Sequence, residues 1–268
     1  MQIRILHCLP LFLLLLTYPT FLSGQDQPPP SDPQAIALAT QAIAALTNGV
    51  AVSDVTMDGD ATWIAGSDKE TGPTTLLAKG TGESRVDLKL SGGTRTEVRN
   101  DTAGSPQGES TASDGTVEAW SQHNCWINAS WFFPALSILA ATSDPSMILT
   151  YVGLESRDTG SVQHIRAYRY VPSKRAGTVA LTTSLSTEDI YLDSTSLLPV
   201  AFSFNTHPDD DMATNILVEI DFFAYQSSNG VQVPMRVQKL INGGLALDIA
   251  VTSAAVNAGL SDAPFAIQ

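Results

Sequence analysis

From Val86 onward, apolar residues fall on every second position, and this period of two restricts the chain more than any other feature. Val86, Leu88 and Leu90 alternate with Arg85, Asp87 and Lys89, and Gly92-Gly93 follows. A period of two sends alternate side chains to opposite faces of a strand, one apolar and one polar. The pattern continues over residues 94–100 and returns in Val200, Phe202 and Phe204. It returns again in Val218, Ile220 and Phe222, in Val231, Val233, Met235 and Val237, and in Leu245, Leu247, Ile249 and Val251. Between the last runs stand Asn229-Gly230 and Asn242-Gly243-Gly244. Asn-Gly supplies the positive φ that a two-residue hairpin turn requires. Strands joined by short turns predict an antiparallel meander, roughly ten strands at ordinary strand length. A sheet with one apolar face throughout must curl around something or be covered.

Other segments complete the count. Residues 147–154 and 162–171 read as strands joined by a turn at Asp158-Thr159-Gly160, and residues 178–185 and 189–193 as two more. Gly72-Pro73, Gly80 and Gly82 punctuate the strands before Val86. Residues 103–115, rich in Gly, Ser and Thr, read as a mobile loop.

Two stretches break the period. Asp32 before Pro33 is a helix-start signal, and Ile36, Ala39, Ile43 and Leu46 follow at helical spacing until Asn48-Gly49 stops them. That helix is almost uncharged, which predicts burial on more than one side. Trp120, Trp126, Trp131, Phe132 and Phe133 then crowd into a short space. Pro134 starts a short helix with Leu136, Ile138 and Leu139, stopped by Asp144-Pro145. This aromatic segment suits either a lid over an apolar ligand or ordinary core beneath the sheet.

Residues 1–24 carry one positive charge, Arg4, then an apolar run, then small and polar residues, the order of a secretory signal peptide. The run is shorter than the roughly 20 residues that span a bilayer. Residues 25–33, with Pro28 to Pro30, read as an extended linker, and residues 34–268 as one domain. Beyond Cys8 in the leader there is only Cys125, so no internal disulfide is expected. With 14 basic and 27 acidic residues, the formal charge of −13 argues against nucleic acid as a partner.

The chemistry-bearing motifs of enzymes are missing. There is no Gly-x-Ser-x-Gly elbow, no His-Glu-x-x-His, no phosphate-binding loop and no dinucleotide fingerprint. His123 and Cys125 are two apart, but His164 and His207 lie in unrelated patterns, so neither a metal nor a cofactor is expected. Asp209, Asp210 and Asp211 lack the spacing of a calcium loop and read as a solvated turn. Asn100-Asp101-Thr102 and Asn128-Ala129-Ser130 match the glycosylation sequon, and both are chance matches if the source is bacterial.

Two stretches carry a family resemblance. Residues 189–200 (DIYLDSTSLLPV) show a strand, an Asp-x-x-Thr turn, Leu-Pro and a strand. Residues 218–237 (VEIDFFAYQSSNGVQVPMRV) show a strand, Tyr, Asn-Gly-Val, Val-Pro and a strand. In this order, after an N-terminal helix, the chain resembles the outer-membrane lipoprotein carrier superfamily, the LolA/LolB-like proteins. The resemblance implies a mainly β fold, a strongly curved antiparallel sheet forming an unclosed β-barrel. It further implies an N-terminal helix and a short internal plugging helix. It implies a non-enzymatic periplasmic carrier or chaperone, monomeric, that shelters a lipid or the acyl chain of a lipoprotein. The candidate ligand-contacting residues are Trp131, Phe132, Phe133, Leu136, Leu139, Phe202, Phe204 and Phe222. The family also carries a functional arginine on an early strand, for which Arg85, Arg95 and Arg99 are candidates. An envelope sensor or partner-binding protein on the same fold is the second reading, and an envelope hydrolase the third.

Overall fold

The computed structural model describes residues 28–102, 105–158 and 160–267. The expected signal peptide, residues 1–24, and residues 25–27 of the linker lie outside them. Helix α1 (Pro33–Thr47) starts where Asp32 accepts from the Gln34 backbone N–H at 2.8 Å. It ends where Asn48, at φ 48°, takes the left-handed conformation and donates to the Ala44 carbonyl. Its buried stripe is Ala35, Ala39, Ala42 and Leu46, while Ile36 is 45% exposed. The stripe is therefore rotated from the expected one, and one face rather than several is buried. Alanines on that face let the backbone approach its neighbours closely.

The strands are β1 (Asp54–Ala65), β2 (Asp68–Lys79), β3 (Ser84–Leu90), β4 (Gly93–Thr102), β5 (Ser105–Thr111) and β6 (Val117–Ala119). Helix α2 (Pro134–Ser143) follows, then β7 (Met147–Arg157), β8 (Gly160–Arg169) and helix α3 (Ala176–Ser186). The chain continues through β9 (Glu188–Asp193), β10 (Pro199–Thr206), β11 (Ile216–Ser228), β12 (Val231–Ile241) and β13 (Gly244–Val256). All thirteen form one antiparallel sheet, ordered β6-β5-β4-β3-β2-β1-β13-β12-β11-β10-β9-β8-β7. Pairing of β1 with β13 joins two meanders into one sheet, and β6 and β7 are its outermost strands.

The sheet curls. Helix α1 packs against β12 and also against β7 and β8. In a flat sheet β12 and β7 would stand roughly 24 Å apart at the usual strand spacing, about twice the diameter of a helix. One helix touches both only if the sheet wraps around it. Helices α1 and α2 touch each other and fill the concave side. The result is the expected curved, unclosed barrel with an N-terminal helix and an internal plug.

Four local expectations are corrected. Thirteen strands among the described residues replace roughly ten: the sequence pattern predicts no strand at β5 or β6 and does not separate β1 from β2 before Val86. Residues 105–111 are not a loop but pair with β4 over its length, from Thr96↔Thr111 to Thr102↔Ser105. Their Ser and Thr side chains suit a strand, and Gly108 is there to let Trp120 approach. Gly72-Pro73 does not interrupt β2 but lies within it, where a Cβ on Gly72 would sit 2.0 Å from the Lys89 carbonyl oxygen. Residues 178–185 are helix α3, not a strand. There the hydroxyls of Thr182, Ser186 and Thr187 donate to carbonyls three or four residues back, and the helix packs against β8 and β10. Tertiary packing overrides the weak strand preference of Thr.

Candidate functional site

Because the barrel does not close, strands near its two ends face each other across a gap. A cleft of about 700 Å³ lies there. Arg99, Asn100 and Asp101 on β4 and Pro106 on β5 form one wall, and Met147, Arg169 and Glu188 near the β7–β9 end form the other. The C-terminal half of α2, at Ala140 and Ala141, and the segment from Gln122 to Ala129 close it from the side. The volume falls within the range of small-molecule sites.

The register places charge inside this half of the barrel. Across the Gly92-Gly93 hairpin, Leu88 stands opposite Arg95, Val86 opposite Glu97 and Ser84 opposite Arg99. Opposed residues share a face, so Arg95, Glu97, Arg99 and Asp101 point to the concave side with the core residues Val86 and Leu88. On β9 the residues alternate likewise. Glu188 lies on the face of the core residues Ile190 and Leu192, and Asp189 and Asp193 on the other.

Arg99 is 6% exposed and Glu188 4%. The Arg99 Nη2 donates to the Ile127 carbonyl at 2.6 Å and to that of Cys125, which holds the segment before α2 against β4. Its guanidinium stands 5.7 Å from the Trp120 ring centre. That ring lies over Gly108, the residue opposite Arg99 on β5. Burial pushes the Glu188 carboxyl up to about 7, against the opposing pull of Arg99. Burial likewise lowers the Arg99 guanidinium. Among the described residues, the buried Arg99 Nε, Asp101 Oδ1 and Glu188 Oε1 have no hydrogen-bond partner. Asp144 and Arg169, also in the cleft wall, bond to each other at 2.7 Å.

The eight expected ligand-contacting residues do come together. Trp131, Phe132, Phe133, Leu136, Phe202, Phe204 and Phe222 are buried in one cluster, against which Leu139 packs partly exposed. Phe202 and Phe222 meet edge to face at 4.9 Å. None of the eight lines the cleft. Of the three candidate arginines, Arg85 pairs with Asp87 at 2.8 Å and Arg95 stacks on Trp63 at 4.1 Å beside Glu70. Only Arg99 lines the cleft. Glu188 and Asp101 had not been singled out, although charges at every second position from 95 to 101 were a readable signal.

Two other polar groupings lie outside the cleft. His207, far from His123 in sequence, has its ring 6.0 Å from it. No group of three metal-ligating side chains occurs among the described residues. On the convex face, His164 bonds to Glu155 and Asp189, both at 2.7 Å. Among the described residues no helix is long and apolar enough to cross a membrane.

No protein-family model matches the chain, and no curated protein matches it. Solved structures do. A protein described as an outer membrane lipoprotein-sorting domain, from Vibrio parahaemolyticus, is 10% identical with a TM-score of 0.54. The alignment covers 87% of this chain and 96% of that one. A LolA superfamily protein from Nitrosomonas europaea is 10% identical, TM-score 0.54, over 87% of this chain and 97% of the other. A DUF1329 family protein from Desulfovibrio piger is 11% identical, TM-score 0.55, over 87% and 96%. At these identities the likeness is one of fold: the chain shares the fold of these three proteins.

Proposed function

We propose that the protein is a non-enzymatic carrier that shelters a lipid or the acyl chain of a lipoprotein inside its half-barrel. The observation that carries this reading is the cleft between α2 and the two facing ends of the sheet, in a fold shared with lipoprotein-sorting and LolA-superfamily proteins. Its apolar wall, which includes Trp126, Ile127, Ala140, Ala141 and Met147, continues toward the buried aromatic cluster. Burying an acyl chain gains about 0.8 kcal/mol per CH₂, so partition alone drives loading. In this reading α2 is the moving part. When it withdraws, Trp131, Phe132, Phe133, Leu136 and Leu139 leave Phe202, Phe204 and Phe222, and those side chains become the ligand surface. Export to the periplasm by residues 1–24, and a monomeric carrier passing cargo to an envelope partner, belong to the same proposal.

Native mass spectrometry of the protein, purified without detergent and then mixed with long-chain lipids, tests it. A one-to-one lipid adduct is expected. A bare protein mass at every lipid concentration overturns the carrier and leaves the partner-binding reading.

A further inference from the structure

Three polar atoms in the cleft are buried and unmatched: Arg99 Nε, a donor, and Asp101 Oδ1 and Glu188 Oε1, two acceptors. All three residues line the same cavity. Arg99 and Asp101 project from one face of β4, and Glu188 from the concave face of β9 opposite. A buried polar atom without a partner costs about 1–3 kcal/mol, so three in one cavity form a vacancy of defined chemistry.

We infer that Arg99, Asp101 and Glu188 form a head-group subsite for a neutral lipid bearing vicinal hydroxyls, as in a monoacylglycerol. The inference rests on the carrier reading and names the class of cargo. Each hydroxyl both donates and accepts. Two neighbouring hydroxyls give their protons to Asp101 Oδ1 and Glu188 Oε1, and one of their oxygens accepts from Arg99 Nε. The hydrogen-bond count separates the alternatives. Arg169 is already held by Asp144 at 2.7 Å, which leaves one guanidinium against two carboxyl groups. An anionic head brings only acceptors to the two unmatched acceptor atoms, and a quaternary ammonium head brings no proton for either.

Titration calorimetry of the full chain with three ligands of equal chain length tests this: 1-monolauroylglycerol, laurate and dodecyltrimethylammonium. Monolauroylglycerol is expected to bind about tenfold more tightly than either charged ligand, the loss that one unmatched hydrogen bond brings. Glu188→Gln and Asp101→Asn are each expected to weaken monolauroylglycerol about tenfold and to leave laurate unchanged. Two variants are needed, so that one folding defect does not decide the matter. Equal binding of all three ligands, or a preference for laurate, overturns the subsite and leaves the carrier standing. Binding of none by a protein with native circular dichroism overturns both.

Discussion

Lys239 on β12 places its ammonium 3.6 Å from the Glu97 carboxylate on β4 and 5.0 Å from the centre of the Trp131 ring. Four strands lie between β4 and β12 in the sheet, so the pair spans the inside of the curl. Both side chains are partly exposed, at 22% and 34%. A pair so exposed contributes less than about 1 kcal/mol. The pair reports the curl and does not hold it. Lys239→Met is expected to lower the urea midpoint only slightly, with an unchanged m-value. A fall in both would show that the sheet opens without the pair.

Phe132 and Phe133 are fully buried, and the Phe132 ring meets Trp131 at 5.4 Å, edge to face. Phe132→Ala is expected to cost about 3–5 kcal/mol, the usual loss for a buried aromatic side chain. Leu139, packed at the margin of the same cluster, is expected to cost less when cut to alanine, by a factor of about two. Chemical unfolding of both variants measures the difference. Equal costs would mean that the exposed side of α2 is as tightly fixed as its core side, and α2 would be a poor lid.

Gly108 is a glycine because Trp120 takes the space of its side chain. A Cβ there would sit 2.7 Å from Trp120 Cε3 and 3.3 Å from Cys125 Sγ. Gly108→Ala is expected to destabilise by about 1–3 kcal/mol, the range for overpacking. Trp120→Ala in the same chain should recover part of that loss. No recovery in the double variant would place the strain in the β5 backbone instead.

The alternation of residues 218–251 and the Asn-Gly turns made the C-terminal meander readable, because a strand half-buried on a curved sheet keeps a strict period of two. The N-terminal half was harder for a physical reason. Its concave face is charged along β4, so the apolar side of the pattern disappears where the cleft needs it. Arg99 entered the sequence reading only as one of three arginines, and Glu188 not at all, since its burial depends on pairing with Ala167 and Phe204 from distant segments. The aromatic segment was visible as a cluster. That it packs as core in this structure follows from the fit of α2 under the sheet, which no local pattern encodes. The Thr-rich helix α3 failed for the opposite cause, where local preference favoured a strand and packing chose a helix.

His164 is held between two carboxylates, Glu155 and Asp189. Burial works against its charged form, yet the two hydrogen-bonded carboxylates prevail and raise its pKa above the ordinary 6.5. A raised pKa means that the folded state holds the proton more tightly. The stabilisation is complete below pH 6.5 and is lost as pH climbs through the higher folded value. His164→Gln should remove this loss, so its stability difference from the parent chain narrows as pH rises above 6.5. A constant difference across that window would show that His164 is neutral in the folded protein.

Glu188 gives the opposite residue type the same sign. Its carboxyl is raised by burial from 4.5 to about 7, with Arg99 pulling the other way and Asp189 adding to the rise. Below pH 4.5 it is neutral in both folded and unfolded chains and costs nothing. Between 4.5 and 7 the unfolded chain ionises while the folded chain keeps its proton, so stability falls by about 1.4 kcal/mol per pH unit. Above 7 both states are ionised and the loss is complete, at roughly 3 kcal/mol. Glu188→Gln cannot ionise, so relative to the parent chain it should gain stability steadily from pH 4.5 to 7 and then level off. Urea unfolding at pH 4, 6 and 8 measures this. A parallel profile for the two proteins would mean that the Glu188 carboxylate is well solvated, and that the cleft wall at β9 is open to water.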